Sequence, residues 1–236
     1  MIPAVPQLNN YARVFEVVPF APWLLNTVLI VVLHTTGTVA SSAIVAYSFA
    51  RFQYRGRDLI FLVTLGTMML PSQVTLIPQY VLFHRLRWLN TFKPLWVPHW
   101  FGGGAFAIFL MRQFIATLPT ELDEAAVIDG AGYFRIFFEV LLPLCGPVLA
   151  TIAVITFIAV WNDFMGPLVY LNSPDKFTIS LGLQFFKSGG GVGEEGEPLQ
   201  HIMMAATVLS VAPCIALFFA AQRYFVRGVV LSGIKG

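Results

Sequence analysis

Five stretches of the chain lack any charged side chain and are dense in aliphatic and aromatic residues. They lie between Glu16 and Arg51, Asp58 and Arg85, Lys93 and Arg112, Glu139 and Asp163, and Glu197 and Arg223. A Lys, Arg or Asp at mid-bilayer costs about 2.5–3.5 kcal/mol on insertion scales, so charge-free runs of about 20 residues mark membrane spans. The pattern predicts five transmembrane helices, over about residues 24–46, 59–81, 94–113, 140–162 and 199–222. Pro71 and Pro78 interrupt the second run, and Gly102-Gly103-Gly104 makes the third the weakest helix former. A further apolar run, residues 177–186, is too short to span as a helix and suits an interfacial or loop-packed segment. The opening Met1-Ile2-Pro3 leads into an Asn-rich stretch instead of a basic signal-peptide start, so the first span is read as a retained helix. Residues 1–22 form an external segment, and no internal repeat is evident.

Lys and Arg in the short flanks orient the spans. With five crossings, Arg51, Arg55, Arg57, Arg112, Arg135, Arg223, Arg227 and Lys235 share one side. Arg13, Arg85, Arg87, Lys93, Lys176 and Lys187 share the other. The compact cluster Arg51-Phe-Gln-Tyr-Arg55-Gly-Arg57 at a helix end decides the matter better than the totals. That side is placed in the cytoplasm, with the N-terminus outside and the C-terminus inside.

Composition narrows the class. Hydrophobic residues make up 57% of the chain and charged ones 11%, against about 25% charged in ordinary soluble domains. The mean hydropathy is +0.76. A soluble fold of this size cannot hide so much apolar surface. A formal net charge of +2 supplies no footprint for nucleic acid. Cys145 and Cys214 are the only cysteines and both sit in apolar runs, which suits small buried fillers instead of a disulfide framework.

The chemistry of a stand-alone enzyme is missing. A literal G-x-G-x-x-G occurs at Gly191-Val-Gly193-Glu194-Glu195-Gly196. Two glutamates there would repel a pyrophosphate, and Pro198 opens an apolar span instead of a phosphate-binding helix. No G-x-x-x-x-G-K-[ST] is present, so no cofactor is expected and any ATP-driven step belongs to a partner. His34, His84, His99 and His201 are scattered without metal-ligand spacing. His34 lies inside a span, where an ionisable group invites a functional reading, although a neutral, hydrogen-bonded packing role beside Thr35-Thr36 is the favoured one. Asp163 with Asn162 reads as the fixing of a helix end. Glu121, Asp123, Glu124 and Asp129 form an acidic cluster without a basic partner. A secondary transporter or channel acting alone would need intramembrane charges for its coupling ions, and the five runs contain none.

Between Arg112 and Pro143 the chain is organised. Pro119 precedes Thr120-Glu121-Leu122-Asp123, which resembles a capping box with acids in the first turn. Helix continues to Asp129, Gly130 interrupts it, and a second piece runs from Tyr133 to about Val140. Helical spacing puts Leu122, Ala125, Ala126 and Asp129 on one face, where alanines would let another backbone approach. From periodicity alone this is either a solvated connection or a docking helix.

Glu124-Ala125-Ala126, three residues, Gly130, nine residues, Val140, one residue and Leu142-Pro143 together resemble the "EAA" loop of ABC-importer permeases. The stretch from Leu118 to Ala131 is similar to the carbohydrate-uptake branch. So are Ala50-Arg51-Phe52 with Arg55-Gly56-Arg57, Trp161-Asn162-Asp163-Phe164, and the tail from Gln222-Arg223-Tyr224 to Ile234-Lys235-Gly236. The resemblance is strongest to the second permease subunit of maltose-type and glycerol-phosphate-type importers.

It implies an all-α polytopic permease domain over residues 23–227, with a cytoplasmic coupling loop at 117–139 and a cytoplasmic tail at 228–236. The setting it implies is a prokaryotic inner membrane. It implies as partners a second, homologous permease subunit, a dimer of ATP-binding-cassette ATPase subunits and an extracytoplasmic solute-binding protein. Coupling to the ATPase falls on Leu122, Glu124, Ala125, Ala126, Asp129, Gly130 and Lys235. The solute would be a sugar, an oligosaccharide or glycerol phosphate. Gln73, Tyr80, Trp161, Asn162 and Tyr170 supply the aromatic faces and polar donors that a sugar path uses. The Gly-rich connection at residues 188–197 suits either a probe into the binding protein or an inert loop.

Members of that branch have six helices, and this chain begins where their first external loop stands. The genomic reading frame is therefore expected to extend upstream through another apolar run of about 20 residues. A stop codon found immediately before Met1 would rule this out.

Overall fold

A computed structural model describes residues 7–188 and 199–232, with side chains described for residues 7–187 and 199–220. The Gly-rich connection and Lys235 lie outside these limits. The described residues are all-α, without strands. In chain order the helices are α1 (Asn9–Val17), α2 (Phe20–Arg51), α3 (Arg57–Gly66), α4 (Ser72–Arg85), α5 (Lys93–Trp96), α6 (Ala105–Thr117) and α7 (Glu121–Ile128). There follow α8 (Tyr133–Arg135), α9 (Leu142–Leu144), α10 (Gly146–Trp161), α11 (Met165–Tyr170), α12 (Ile179–Ser188) and α13 (Gln200–Ser232).

Two of these, α2 and α13, are long and apolar enough to cross a membrane alone. Three further bent pairs raise the count to five if each is one crossing. The second predicted span, 59–81, is not one straight helix: its two halves meet at 99°. Pro71 is the cause, because its ring drives the preceding residue out of the helical region, and Leu70 sits at φ −79°, ψ 120°. Pro78, by contrast, stays inside α4. The third, 94–113, is broken as well. A 3₁₀ turn, Val97–Trp100, and three positive-φ glycines precede α6. In the fourth, a π-helical segment, Ile136–Leu141, precedes a 75° bend between Leu144 and Gly146. The run at 177–186 resolves into α12, which packs on α2 and α13.

α2 organises the rest. Its first half, from Phe20 to Val31, belongs to one apolar cluster with Phe83, Leu95, Trp161, Tyr170, Leu181 and Ile202. Its last turns, Ala43 to Phe49, belong to a second cluster with Met111, Ile115, Ile136, Leu141 and Ile152. Between the two lies a small, polar stretch, His34 to Ser42. The broken third segment docks there. The Trp100 indole N–H donates to the Leu33 carbonyl at 3.0 Å. The Ser41 hydroxyl reaches the His99 carbonyl at 2.8 Å, and His34 Nδ1 donates to the Leu95 carbonyl at 2.8 Å. Such bonds are needed wherever irregular backbone lies at membrane depth. Close approach demands glycine. A Cβ on Gly37 would run into the Trp100 ring, and one on Gly103, at φ +60°, into the Thr38 carbonyl oxygen.

At the far end of the bundle Asn90 (φ 54°) joins the connections. Its amide Oδ1 accepts from the backbone N–H of Asn172 and Ser173, both at 3.1 Å, and its Nδ2 donates to the Ser173 hydroxyl at 2.8 Å. Trp23, Asn26 and Thr27 on the first turns of α2 hold the same connection through Pro174, Asp175, Phe177 and Ile179.

Gly103→Ala should destabilise the protein by about 2 kcal/mol or more, since strain from positive φ adds to overpacking against backbone. Gly146→Ala, with open space around its Cβ and no positive φ, should be neutral or stabilising. Thermal unfolding midpoints in detergent compare the two, and equal losses would contradict the packing described.

Candidate functional site

The segment predicted as a coupling loop is built on the C-terminal end of α2. α7 begins after Thr120 as expected, but no side-chain cap forms. The Asp123 and Glu124 amides donate to the Thr120 backbone carbonyl at 3.0 and 3.1 Å, and the capping-box expectation is corrected accordingly. At its other end the Gly130 N–H donates to Val127 O and the Ala131 N–H to Ala126 O, both at 2.9 Å. This paired pattern with a left-handed residue at the stop is a Schellman motif. Gly130 supplies φ +79°, and no atom lies within 4 Å of a Cβ built there. The glycine is therefore required by backbone conformation and not by crowding.

The predicted face is divided. Ala126 packs with Ala131 against the second cluster, while Ala125 and Glu124 are exposed and Leu122 is 37% exposed. Asp129 stands just beyond α7 as its capping residue. The sequence reading passed over Ile128 and Phe134, which flank the Gly130 turn and are 86% and 83% exposed.

Two side chains one turn apart on α2 hold both ends of this loop. Arg51 donates to the Leu118 carbonyl at 3.0 Å, and its Nε lies 2.7 Å from an Asp123 carboxylate oxygen, a charge contact off the line of a hydrogen bond. Burial pushes the Asp123 carboxyl above its ordinary pKa, against the opposite pull of the Arg51 guanidinium. The Tyr47 hydroxyl reaches the Tyr133 carbonyl at 3.3 Å, with its ring against Phe52 and Phe137. The sequence reading used Arg51 as a marker of orientation and as part of a family-like motif, and gave it no part in holding the loop. Nearby, the Arg112 guanidinium lies 4.2 Å over the Phe61 ring. Arg135 and Glu139 form an exposed i,i+4 pair that contributes little.

The five residues predicted to line a sugar path are not brought together. Trp161 is buried, stacks on Phe157 and donates to the Ser210 carbonyl at 3.1 Å. Tyr170 is buried edge-on to Phe83. Asn162 turns back to the Ile158 carbonyl at 2.8 Å and so caps α10. Gln73 and Tyr80 are exposed on α4. Instead, a cavity of about 550 Å³ beside the middle of α2 gathers His34, Thr38, Thr67, His99, Thr156 and Asp163. Asp163 also accepts the Gly166 N–H at 3.2 Å, as a helix-end role predicts. The signal for this cavity was the polar face of an otherwise apolar span: His34, Thr38, Ser41 and Ser42 recur at helical spacing.

Residues 39–231 match the family described as binding-protein-dependent transport system inner membrane component. The chain is 33% identical over 235 residues to the arabinooligosaccharides transport system permease protein AraQ of Halalkalibacterium halodurans, covering 99% of this chain and 81% of that protein. It is 33% identical over 232 residues to the trehalose/maltose transport system permease protein MalG of Thermococcus litoralis, covering 97% and 81%. Among solved structures it resembles a chain of a bacterial ABC transporter involved in the import of the acidic polysaccharide alginate. The TM-score is 0.85 at 25% identity, over 95% of this chain and 82% of that one. Similarity to the MetNI methionine ABC transporter, with a TM-score of 0.60 at 21% identity over 91% of this chain and 97% of that one, concerns the fold.

Removing the Arg51 side chain should loosen α7 by about 1–3 kcal/mol, so that amide hydrogen exchange over α7 quickens roughly 5- to 150-fold in Arg51→Ala. Arg51→Lys should fall between, because an ammonium cannot serve a carboxylate and a carbonyl as a planar fork does. Exchange in α7 equal to wild type would show that Arg51 does not hold the loop.

Proposed function

The chain belongs to the family of binding-protein-dependent transport system inner membrane components, and from that premise we propose that it forms one half of the membrane pathway of an ATP-driven sugar importer. Its relatives are described as permeases for arabinooligosaccharides and for trehalose/maltose, which supports a sugar or oligosaccharide as cargo. In this reading α2 and α13 are joined by three broken crossings, formed by α3 with α4, α5 with α6, and α8 to α10, while α7 and the C-terminal end of α2 stand in the cytoplasm. A second permease subunit completes the pathway, an external binding protein delivers the solute, and a separate ATPase dimer supplies the work. Family membership leaves a carrier acting alone without support.

The observation that carries the coupling role is the α7–Gly130 turn. It is tied to α2 by Arg51 at one end and by Tyr47 at the other. Ile128 lies between those ties and Phe134 one residue beyond the second, and both are exposed. Large apolar side chains left exposed on both sides of a tied turn suit insertion into a partner's pocket. Leu122, Glu124 and Ala125 extend that surface, with Glu124 and Asp129 placed to meet basic groups. Ala126 serves by packing α7 onto its own bundle. Lys235 is proposed as a tail contact to the same ATPase.

Gly130→Val should cost about 1–3 kcal/mol, because a β-branched residue is forced to positive φ. Gly130→Asn should cost less, since asparagine tolerates that region. With insertion verified, the valine variant is expected to lose substrate-stimulated ATPase activity and recovery of the ATPase subunit in pull-down. Normal transport and normal partner recovery would reduce the loop to a plain connection.

A further inference from the structure

Resting on the importer reading, we propose that the cavity beside the middle of α2 is a binding site for an uncharged polyhydroxylated solute. The site would exclude phosphorylated and uronic sugars. Its volume, about 550 Å³, falls in the range of roughly 300–1,000 Å³ typical of small-molecule sites. It lies where helices are discontinuous. The wall from Thr67 and Met68 is the break between α3 and α4, and Gly103 and Gly104 are the unwound start of α6.

Three observations select the solute. Thr38 is only 3% exposed, yet its hydroxyl has no hydrogen-bond partner among the described residues. A buried hydroxyl left unpaired is costly, and a solute hydroxyl would satisfy it. Set in a mostly apolar lining are groups that exchange hydrogen bonds with neutral hydroxyls: Thr38, Thr67, Thr156 and the His34 ring. His34 Nδ1–H is already spent on the Leu95 carbonyl, which leaves Nε2 as an acceptor. The His99 ring stacks on it at 3.5 Å and holds its plane.

Charge then sorts the candidates. Asp163 is the one ionisable acid in the lining, and the lining contains no Lys or Arg. Phosphate and carboxylate sites commonly add Arg or Lys to helix-start N–H groups; here the start of α6, Gly104 to Ala107, lines the cavity without either. A carboxylate repels an anion, while it accepts hydrogen bonds from a neutral diol. Met68, Phe106, Ile155 and Val160 supply apolar walls for the C–H faces of a sugar ring.

The test uses this chain purified with its accompanying subunits. Direct binding is measured without the external binding protein, using radiolabelled maltose and trehalose as neutral probes and glycerol 3-phosphate and glucuronate as anionic ones. The wild-type complex should bind a neutral probe at least tenfold more tightly than either anion. Thr38→Val, nearly isosteric, should weaken neutral binding about fivefold without lowering the melting temperature, because it deletes one hydrogen bond to solute and none within the protein. Thr156→Val provides an independent second variant with the same direction. Asp163→Asn keeps an acceptor for the Gly166 N–H and should narrow the gap between neutral and anionic probes.

Binding unchanged in both threonine variants would overturn the site. So would tighter binding of an anion, or binding of no probe. ATP-driven uptake by the reconstituted complex is a separate readout. Its failure in wild type would overturn the importer reading itself.

Discussion

Irregular backbone inside a membrane must have its hydrogen bonds satisfied by protein, and in this chain the satisfying element is α2. Broken segments contribute to three of the five crossings proposed here, and the most irregular of them lies along the small, polar midsection of α2. Leu33 accepts the Trp100 indole, Ser41 meets the His99 carbonyl, and His34 donates to the Leu95 carbonyl. Gly37 and Gly103 allow the approach. A midsection of leucines would be a better membrane helix by hydropathy alone, but it would leave the Leu95 and His99 carbonyls without their side-chain donors. The polar stretch of α2 is thus a structural requirement first, and the cavity follows from it.

The C-terminal turns of the same helix solve a different problem. α7 has eight residues, too few for stable isolated helix in water. It is held by a charged contact, carbonyl caps and a small apolar face. Arg51 engages the chain entering α7, Tyr47 the chain leaving the Gly130 turn, and Ala126 packs on the second cluster. Because Tyr47 and Arg51 are one turn apart, both ties lie on one face of α2. The loop is joined to that helix as a bracket.

The positions of the apolar runs were legible because charge is so costly in hydrocarbon that its absence reads plainly. Where the runs break was half legible. Pro71 and the three glycines were visible as interruptions, whereas the 99° angle depends on what receives the chain afterwards. The same limit governs the sites. Gly130 stood out by spacing, and its positive φ follows from a Schellman stop that needs both Ala126 and Ala131 in place. The division of the Ala125-Ala126 pair between solvent and core needs the position of the second cluster, which no local pattern contains. Trp161 and Tyr170 looked like sugar-facing groups by residue type. Their partners, Ser210 and Phe83, lie 49 and 87 positions away and claim them for packing. Thr38 looked like an unremarkable small residue until its hydroxyl proved to have no bonding partner.

The two walls of the cavity are connected to the α7–Gly130 loop by elements of different stiffness. From Thr38 to Tyr47 runs uninterrupted α-helix, nine residues or about 13 Å at 1.5 Å per residue. A displacement of α7 therefore reaches the His34–Thr38 wall through a stiff rod. The opposite wall, with Ile155, Thr156 and Ala159, stands on α10. The path from the loop to α10 passes through the π-helical segment Ile136–Leu141 and then the 75° bend before Gly146. π-helical turns and sharp bends lack the regular i→i−4 ladder that makes a helix stiff, so this path is the compliant one. A common push at the loop thus moves the walls unequally and changes the width between them. In the proposed importer that difference in stiffness would turn motion of a docked ATPase into a change of shape at the cavity, without any joint in α2 itself.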